Sequence, residues 1–107
     1  MKVVDLDRSA IKQGLSDQSL LVIDVREDHE FARGHIPGSV SHPLSTFDPD
    51  ALRALIAQDG RRPVFSCASG VRSVQAIAAA QDAGLDVSEH YRGAFKDWYG
   101  AGEPIET

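Results

Sequence analysis

The sequence predicts an α/β fold in which a parallel sheet is flanked by helices on both faces, within a single domain over residues 1–107. Short apolar segments alternate with helical patterns along the chain, as in folds built from strand–helix–strand units. Leu20 to Val25 is an apolar run interrupted only by Asp24, and a strand without polar alternation is typical of the interior of a parallel sheet. The length, with 42% hydrophobic and 25% charged residues, suits one domain with one core.

The first elements are predicted from short local patterns. Lys2 to Val4 is a short β-rich segment, and Asp7 or Ser9 can cap a helix that ends near Gly14, because glycine commonly terminates helices. The run from Leu20 to Val25 then forms the central strand.

Two charges, Asp24 and Arg26, lie where the central strand ends. Ligands of open α/β sheets gather at the carboxyl ends of strands, so both side chains are expected near the site. We favour structural roles, in which Asp24 accepts hydrogen bonds from loop amides and Arg26 pairs with Glu27 or Glu30. A contribution of either to catalysis stays open.

A helical turn is predicted from Glu27 to Phe31. It is followed by Gly34-His35-Ile36-Pro37-Gly38, which permits neither a helix nor a regular strand and indicates a fixed turn. His35 could serve as a general base. A histidine between glycines more often bonds the backbone to hold a turn, and we favour that role.

The middle of the chain carries the clearest helix signals. Val40 belongs to a brief third strand, and Asp48-Pro49-Asp50 combines a capping residue, a proline for the first turn and an acid for the helix dipole. Gly60 ends this helix, and Arg61 and Arg62 then form a polar turn exposed to solvent. The residues expected on the buried face of this helix are Leu52, Leu55 and Ile56.

The last third of the chain is predicted to hold Cys67 in a turn between a strand and a helix. Pro63 to Ser66 is short and β-rich, whereas Ser73 to Ala83 has helical spacing and is closed by Gly84. A final strand over Val87 to Tyr91 precedes a short helix. The side chains expected in the core from these two helices are Val74, Ile77, Ala78, Ala80, Phe95, Trp98 and Tyr99.

Cys67 is the only cysteine, and its turn favours a thiolate. Loop amides around Gly70 can converge on one point, while the following helix adds the positive end of its dipole. Arg72 can supply a nearby cation and hold an anionic group of a substrate. Such surroundings lower a thiol pKa to roughly 3.5–7.5, which predicts a nucleophile at neutral pH.

Three motifs together resemble those of one protein family. The loop Cys67-Ala68-Ser69-Gly70-Val71-Arg72-Ser73 resembles the active-site loop of the rhodanese-like sulfurtransferases. Asp24 to Glu27, Glu30-Phe31 and Gly34 to Gly38 are similar to the upstream signature of that family, and Gly93 and Trp98 resemble its C-terminal one. That last motif usually has paired glycines; here the second position is Ala94, and Tyr91 stands where a smaller aliphatic residue is common.

The resemblance implies a three-layer sandwich around about five mainly parallel strands, and it implies a sulfurtransferase. Cys67 would take a sulfane sulfur from thiosulfate or a low-molecular-weight persulfide as a covalent persulfide, and would pass it to a thiol or cyanide acceptor. A protein is a further candidate acceptor, and no cofactor is implied. The residues implied to bind the substrate are Ala68, Ser69, Gly70, Val71, Arg72 and Ser73.

Two alternatives are a cysteine-dependent phosphatase on the same fold and a non-catalytic rhodanese-like binding module. Such phosphatases place five residues between cysteine and arginine and usually have a histidine before the cysteine. Here only four residues, Ala68 to Val71, intervene, and Ser66 precedes the cysteine. Binding modules commonly lack the cysteine, which this chain retains together with Gly70 and Arg72.

Composition argues against other partners. Eleven basic against sixteen acidic residues give a net charge of −5, and scattered arginines speak against nucleic acid. The histidines at positions 29, 35, 42 and 90 lack the spacing of metal sites, so no metal is predicted. Apolar runs far short of about 18 residues and the lack of a signal-peptide core speak against a membrane or export. The single cysteine cannot form an internal disulfide, and a reactive unpaired thiol is at risk in an oxidising compartment. We therefore expect a location in the reducing cytoplasm.

Overall fold

The computed structural model describes residues 1–107 and contains a five-stranded sheet of order β1-β5-β4-β2-β3. All strand pairs are parallel, and helices flank the sheet, so the predicted α/β class is confirmed. The strands are β1 (Val4–Leu6), β2 (Leu20–Asp24), β3 (Val40–Ser41), β4 (Arg62–Ser66) and β5 (Glu89–Tyr91). The helices are α1 (Arg8–Ser16), α2 (Asp28–Arg33), α3 (Pro49–Asp59), α4 (Val71–Asp82) and α5 (Ala94–Gly100), with a short 3-10 turn at Leu44–Thr46.

The strand β2 lies inside the sheet, as its apolar run from Leu20 to Ile23 predicts. All five of its residues are buried, and it pairs with β4 on one side and β3 on the other. Its register sets Asp24 opposite Ser66. The end of β2 is therefore level with the residue that precedes Cys67.

The side chains of β2 alternate between two apolar clusters, one on each face of the sheet. Leu21 and Ile23 belong to the cluster that includes residues of α3 and α4, whereas Leu20 and Val22 belong to the one that includes residues of α1 and α5. A strand places successive side chains on opposite faces. The molecule thus has the three layers that the resemblance implies.

The predicted caps of α1 and α3 are largely confirmed. The carboxylate of Asp7 accepts a hydrogen bond from the amide of Ala10, and that of Asp48 accepts one from the amide of Ala51. Pro49 occupies the first turn of α3, and Gly60 ends the helix in the left-handed conformation. These caps satisfy amides that would otherwise lack partners at the helix starts.

Gly14 does not end α1, contrary to expectation, because the helix continues to Ser16. A Cβ at Gly14 would lie 2.2 Å from the side chain of Leu20, so this glycine allows α1 to approach the sheet closely. The first strand begins at Val4 and not at Lys2, because Val4 to Leu6 pair with β5.

The C-terminal boundaries also differ from the prediction. The helix α4 begins at Val71, two residues before the predicted Ser73, and the last strand begins at Glu89 and not at Val87. The prediction that Ala78 and Tyr99 face the core is wrong, since both are exposed. The buried residues of α4 are Ser73, Ala76, Ile77 and Ala80.

Candidate active site

Cys67 lies in the loop that joins the end of β4 to the start of α4. Its Sγ accepts a hydrogen bond from the amide of Gly70 at 3.0 Å and lies 3.5 Å from the hydroxyl oxygen of Ser73. Gly70 has a φ of 94°, a left-handed conformation that favours glycine. A Cβ at this position would also lie 2.6 Å from the carbonyl oxygen of Arg92. The loop can therefore close around the sulfur only with glycine here.

The first turn of α5 holds this loop from outside. The amide of Phe95 donates to the carbonyl of Cys67 at 2.9 Å, and the amide of Lys96 donates to the carbonyl of Ala68 at 3.0 Å. These bonds occupy two loop carbonyls on the side of α5, which leaves loop amides free to face the sulfur. Such converging amides form an anion-binding concavity.

The pKa of Cys67 lies below the ordinary value of a thiol, as the sequence predicts. Burial raises the pKa, but hydrogen bonds from the Ser73 side chain and from the amides of Ser73, Gly70 and Ser69 outweigh it. Hydrogen bonds to a charged form favour that form. The loop itself is thus the main source of thiolate stabilisation.

Arg72 forms a bidentate ion pair with Glu30, a contact that the sequence did not reveal. Its Nη1 donates to Oε1 of Glu30 at 2.7 Å, and its Nη2 donates to Oε2 at 3.0 Å. Chiefly through this hydrogen-bonded pair, the pKa of Glu30 falls to about 2 and the pKa of Arg72 rises. Glu30 also receives a hydrogen bond from the amide of Glu27 as part of a capping box. That box was readable from the sequence, but the contact with Arg72 spans 42 positions.

Asp24 and Arg26 pair with each other, so the expected partnership of Arg26 with Glu27 or Glu30 is wrong. Nη2 of Arg26 donates to Asp24 at 2.8 Å and to the carbonyl of Gly34 at 2.7 Å. Its guanidinium also lies 4.3 Å from the ring centroid of Phe95. Both charged side chains are buried, and these contacts fit a structural role.

His35 also has structural partners. Its Nδ1 lies 2.8 Å from the carbonyl oxygen of Phe31, and its ring stacks on the Phe31 ring at 3.6 Å. The backbone of His35 exchanges hydrogen bonds with Glu106. No hydrogen bond joins its ring to the Cys67 loop, which accords with the role of holding the turn.

The proposed loop residues differ in exposure. Ser69 and Val71 are exposed, Ala68, Gly70 and Arg72 are partly exposed, and Cys67 and Ser73 are buried. Cys67 has only 1% of its surface exposed, so only a small reacting group could reach the sulfur. The largest surface cleft lies elsewhere, beside Trp98 and Pro104, and contains no thiol.

His90 lies behind the loop, a position that no local sequence pattern predicts. Its Nδ1 is 2.7 Å from the hydroxyl oxygen of Ser73. The spacing of the histidines along the chain does not reveal this contact, because it depends on the strand order, which sets β5 beside β4.

No group of three His, Cys, Asp or Glu side chains could hold a metal ion. No helix has the length and apolar character to cross a membrane.

The chain matches known proteins over most of its length. The family model of the Rhodanese-like domain matches residues 7–101. A mouse protein named thiosulfate sulfurtransferase/rhodanese-like domain-containing protein 3 is 33% identical over 82% of the chain, which spans 63% of that protein. A sulfurtransferase of Allochromatium vinosum is 31% identical over 96% of the chain and 94% of its own length.

A solved structure carries a different functional suggestion. It is a Rhodopseudomonas palustris protein of unknown function, described as a possible tyrosine phosphatase, with a TM-score of 0.76 and 34% identity. The similarity covers 97% of this chain and 85% of that one.

Proposed function

Because the chain belongs to the rhodanese-like domain family, we propose that it is a sulfurtransferase that carries sulfane sulfur as a persulfide on Cys67. The observation that carries the proposal is the contact of Cys67 Sγ with the amide of Gly70 at 3.0 Å, in a loop that lowers the thiol pKa. A thiolate is the nucleophilic form of cysteine. A relative named sulfurtransferase is 31% identical to this chain over 96% of its length, which supports the proposal.

The proposed reaction has two steps. The thiolate of Cys67 attacks the outer sulfur of thiosulfate or of a low-molecular-weight persulfide, a new S–S bond forms, and the old bond breaks with its electron pair leaving on sulfite or thiolate. An acceptor thiolate or cyanide then attacks the outer sulfur, and Cys67 departs as a thiolate. The chain is neither oxidised nor reduced over the cycle, so no cofactor is needed. This is covalent catalysis through an intermediate that splits one transfer into two.

The loop from Ala68 to Ser73 would bind the transferred sulfur. Its amides can stabilise negative charge on the outer sulfur, in the manner of an oxyanion hole. Arg72 would hold the charged end of a donor, but Glu30 already balances its charge. This pairing favours a persulfide with one charge near the sulfur over doubly charged thiosulfate.

The acceptor is proposed to be a small thiol or cyanide, or a thiol on a partner protein. Exposed Ser69 and Val71 at the loop rim would allow either to approach. A free thiol as the working group favours a reducing compartment such as the cytoplasm.

A phosphatase is the second candidate, because the Rhodopseudomonas palustris neighbour is described as a possible tyrosine phosphatase. Two features of this chain weigh against it. Only Ala68 to Val71 separate the cysteine from the arginine, which gives a smaller cradle than those phosphatases use. Moreover, the fork of Arg72 that would bind a phosphate is occupied by Glu30.

Intact mass after incubation with thiosulfate or glutathione persulfide tests the proposal. A gain of about 32 Da, one sulfur atom, is expected on the wild-type chain and its loss on addition of a thiol or cyanide, because two-step transfer needs a stable intermediate. The variant Cys67→Ser should gain nothing and transfer nothing. An aryl phosphate is tested in parallel. Phosphate release without a sulfur adduct would establish the phosphatase instead. The absence of both activities would indicate a binding module.

A further inference from the structure

A chain of hydrogen bonds runs from Cys67 through the core to the edge strand β1. Sγ of Cys67 lies 3.5 Å from Oγ of Ser73, Oγ lies 2.7 Å from Nδ1 of His90, and Nε2 of His90 lies 2.6 Å from Oδ1 of Asp5. Ser73 is fully buried and His90 is 2% exposed, whereas Asp5 is about half exposed. Three elements supply these groups, since Ser73 is on α4, His90 on β5 and Asp5 on β1.

The strand order explains why these groups meet. The central strand β4 lies beside β5, with Phe65 opposite His90, and β5 lies beside β1, with Asp5 opposite His90. The small side chain of Ser73, in the first turn of α4, then lies between the Cys67 loop and the His90 ring. Neither His90 nor Asp5 lies near residues 63–73 in the sequence.

The protons in these hydrogen bonds have only two arrangements in which every donor meets an acceptor. A carboxylate only accepts, so Nε2 of His90 carries a proton that it donates to Asp5. In the first arrangement Nδ1 is bare and accepts the Ser73 hydroxyl proton, and Ser73 oxygen accepts the thiol proton of Cys67. In the second, Nδ1 is protonated and donates to Ser73 oxygen, and the Ser73 hydroxyl donates to a thiolate. Ser73 can thus stabilise the Cys67 thiolate only when it is not donating to His90.

We propose that His90 is a positioning residue for the nucleophile, receiving the thiol proton of Cys67 through the hydroxyl of Ser73 while Asp5 holds the opposite ring nitrogen. In this step the S–H bond breaks as an O–H bond forms on Ser73, and the original O–H bond of Ser73 breaks as an N–H bond forms on Nδ1. No electrons are gained or lost, and the products are a thiolate and an imidazolium. The proposal rests on Cys67 being the nucleophile of the proposed function.

The charged groups around this chain of hydrogen bonds are compatible with the transfer of a proton from Cys67 to His90. Asp5 is the only charged side chain in hydrogen-bond contact with His90; from β4 the ring is opposite the apolar Phe65, and from α4 it meets Ser73. Asp5 is in turn 3.6 Å from the exposed Arg92. On the other side of Cys67, Arg72 is held by Glu30. The imidazolium would therefore be balanced by one carboxylate and one thiolate.

The relay also fits the second step of sulfur transfer. When the acceptor takes the outer sulfur, Cys67 leaves as an anion, and a Ser73 hydroxyl aimed at Sγ would stabilise it. That hydroxyl is free to do so only while His90 is protonated at Nδ1. His90 would thus act through Ser73 on the leaving group without touching the substrate.

A double-mutant cycle on thiol ionisation tests the relay without any sulfur donor. The variants are His90→Phe, Ser73→Ala and the double variant, and the measurement is the apparent pKa of Cys67 from the pH dependence of alkylation. Each single variant should raise that pKa by about one unit, which is about tenfold less thiolate below the midpoint. Ser73→Ala removes the hydroxyl that donates to Sγ, and His90→Phe removes both the acceptor of the thiol proton and the Nδ1 donor that orients this hydroxyl toward Sγ. In the Ser73→Ala background, His90→Phe should add less than about twofold, because His90 acts only through Ser73. The exposed His29→Gln serves as the matched control and should leave the pKa unchanged.

An unchanged thiol pKa in His90→Phe, or an undiminished effect of His90→Phe without Ser73, would overturn the proposal. A reciprocal measurement guards against a variant that merely loosens the fold. Nitrogen NMR of the His90 ring at neutral pH should show less proton occupancy at Nδ1 in Cys67→Ser than in the wild type, because coupling between two groups acts equally on both. The same Nδ1 signal in both proteins would also overturn the relay. Failure of sulfur transfer in the mass experiment leaves these readouts untouched, so the two proposals fail separately.

Discussion

At the scale of single residues, the pairing of Arg72 with Glu30 decides how much positive charge the loop presents. The two side chains are joined by two hydrogen bonds and are 32% and 26% exposed, so solvent screens the pair only in part. A donor that approaches Cys67 meets an arginine whose charge is already balanced. The carboxylate of α2 therefore belongs to the electrostatics of the site.

Removal of this carboxylate should change donor preference. In Glu30→Gln the charge of Arg72 is no longer balanced, so we expect the ratio of kcat/KM for thiosulfate to that for glutathione persulfide to rise several-fold, as a change of roughly 1 kcal/mol allows. The matched control is Asp50→Asn on α3, which removes one negative charge from a side chain that is 92% exposed. An unchanged ratio in Glu30→Gln would show that Arg72 does not contact the charged end of the donor.

The same pair predicts a pH-dependent contribution to stability. Hydrogen bonding to Arg72 lowers the folded-state pKa of Glu30 from 4.5 to about 2. A lowered carboxyl pKa stabilises the fold fully above the unfolded value and loses this effect as the pH falls through the folded one. The difference in free energy of unfolding between wild type and Glu30→Gln should thus be roughly 1–2 kcal/mol above pH 4.5 and shrink toward pH 2.

Urea unfolding at a series of pH values measures this difference. In an Arg72→Gln background, the effect of Glu30→Gln should lose more than half of its pH dependence, because Arg72 is the main cause of the shift. A difference that stays constant from pH 7 to about pH 2 would contradict the linkage.

The residues of the site that the sequence predicts are those close together along the chain. Cys67, Gly70 and Ser73 lie within one turn of the polypeptide, so residue types and spacing suffice to bring them together. Glu30 and His90 are 42 and 17 positions from their loop partners. Their contacts depend on the strand order and on where α2 packs, which no local pattern contains.

At the scale of elements, the turn between β5 and α5 supports the Cys67 loop and contains a strained residue. Ala94 stands where the resemblance leads one to expect a glycine, and it has a φ of 61°. Left-handed backbone costs a residue with a Cβ roughly 1–2 kcal/mol. Ala94 is also fully buried in the core, so its methyl group offsets part of that cost.

The variant Ala94→Gly should consequently change stability little. It relieves the left-handed strain but loses the burial of one methyl group, about 0.8 kcal/mol, so we expect a net change within about 1 kcal/mol. The matched control is Ala76→Gly, a fully buried alanine inside α4. There glycine loses the methyl group and adds a helix penalty of about 1 kcal/mol. Chemical unfolding compares the two, and an equal loss in both would contradict strain at Ala94.

At the scale of the whole molecule, the sequence predicts the interior better than the edges. Leu20 to Asp24 is buried on both faces, so its composition carries a clear signal. The edge strands β1 and β3 have only three and two residues, and their bounds depend on pairing with a neighbour. Gly14 shows the same limit, because its role comes from Leu20 on another element.

The buried pair of Asp24 and Arg26 connects the parts of the molecule on which the site depends. Arg26 contacts the end of β2 through Asp24, the end of α2 through the carbonyl of Gly34, and α5 through the ring of Phe95. The helix α2 carries Glu30, and α5 holds the carbonyls of the Cys67 loop. Loss of this one side chain should therefore weaken both supports of the site.

The variant Arg26→Met should lower the free energy of unfolding by about 3–5 kcal/mol, because it leaves a buried carboxylate without its cation. In Asp24→Asn/Arg26→Met the residue at 24 is neutral and can still accept the amide hydrogen bond of residue 26, so part of that stability should return. Arg53→Met, which breaks an exposed ion pair with Asp50, is the control and should cost far less, since exposed pairs contribute little. Urea unfolding at neutral pH measures all three. A double variant no more stable than Arg26→Met would mean that Arg26 acts through Gly34 and Phe95, and that the unpaired charge of Asp24 is not the source of the loss.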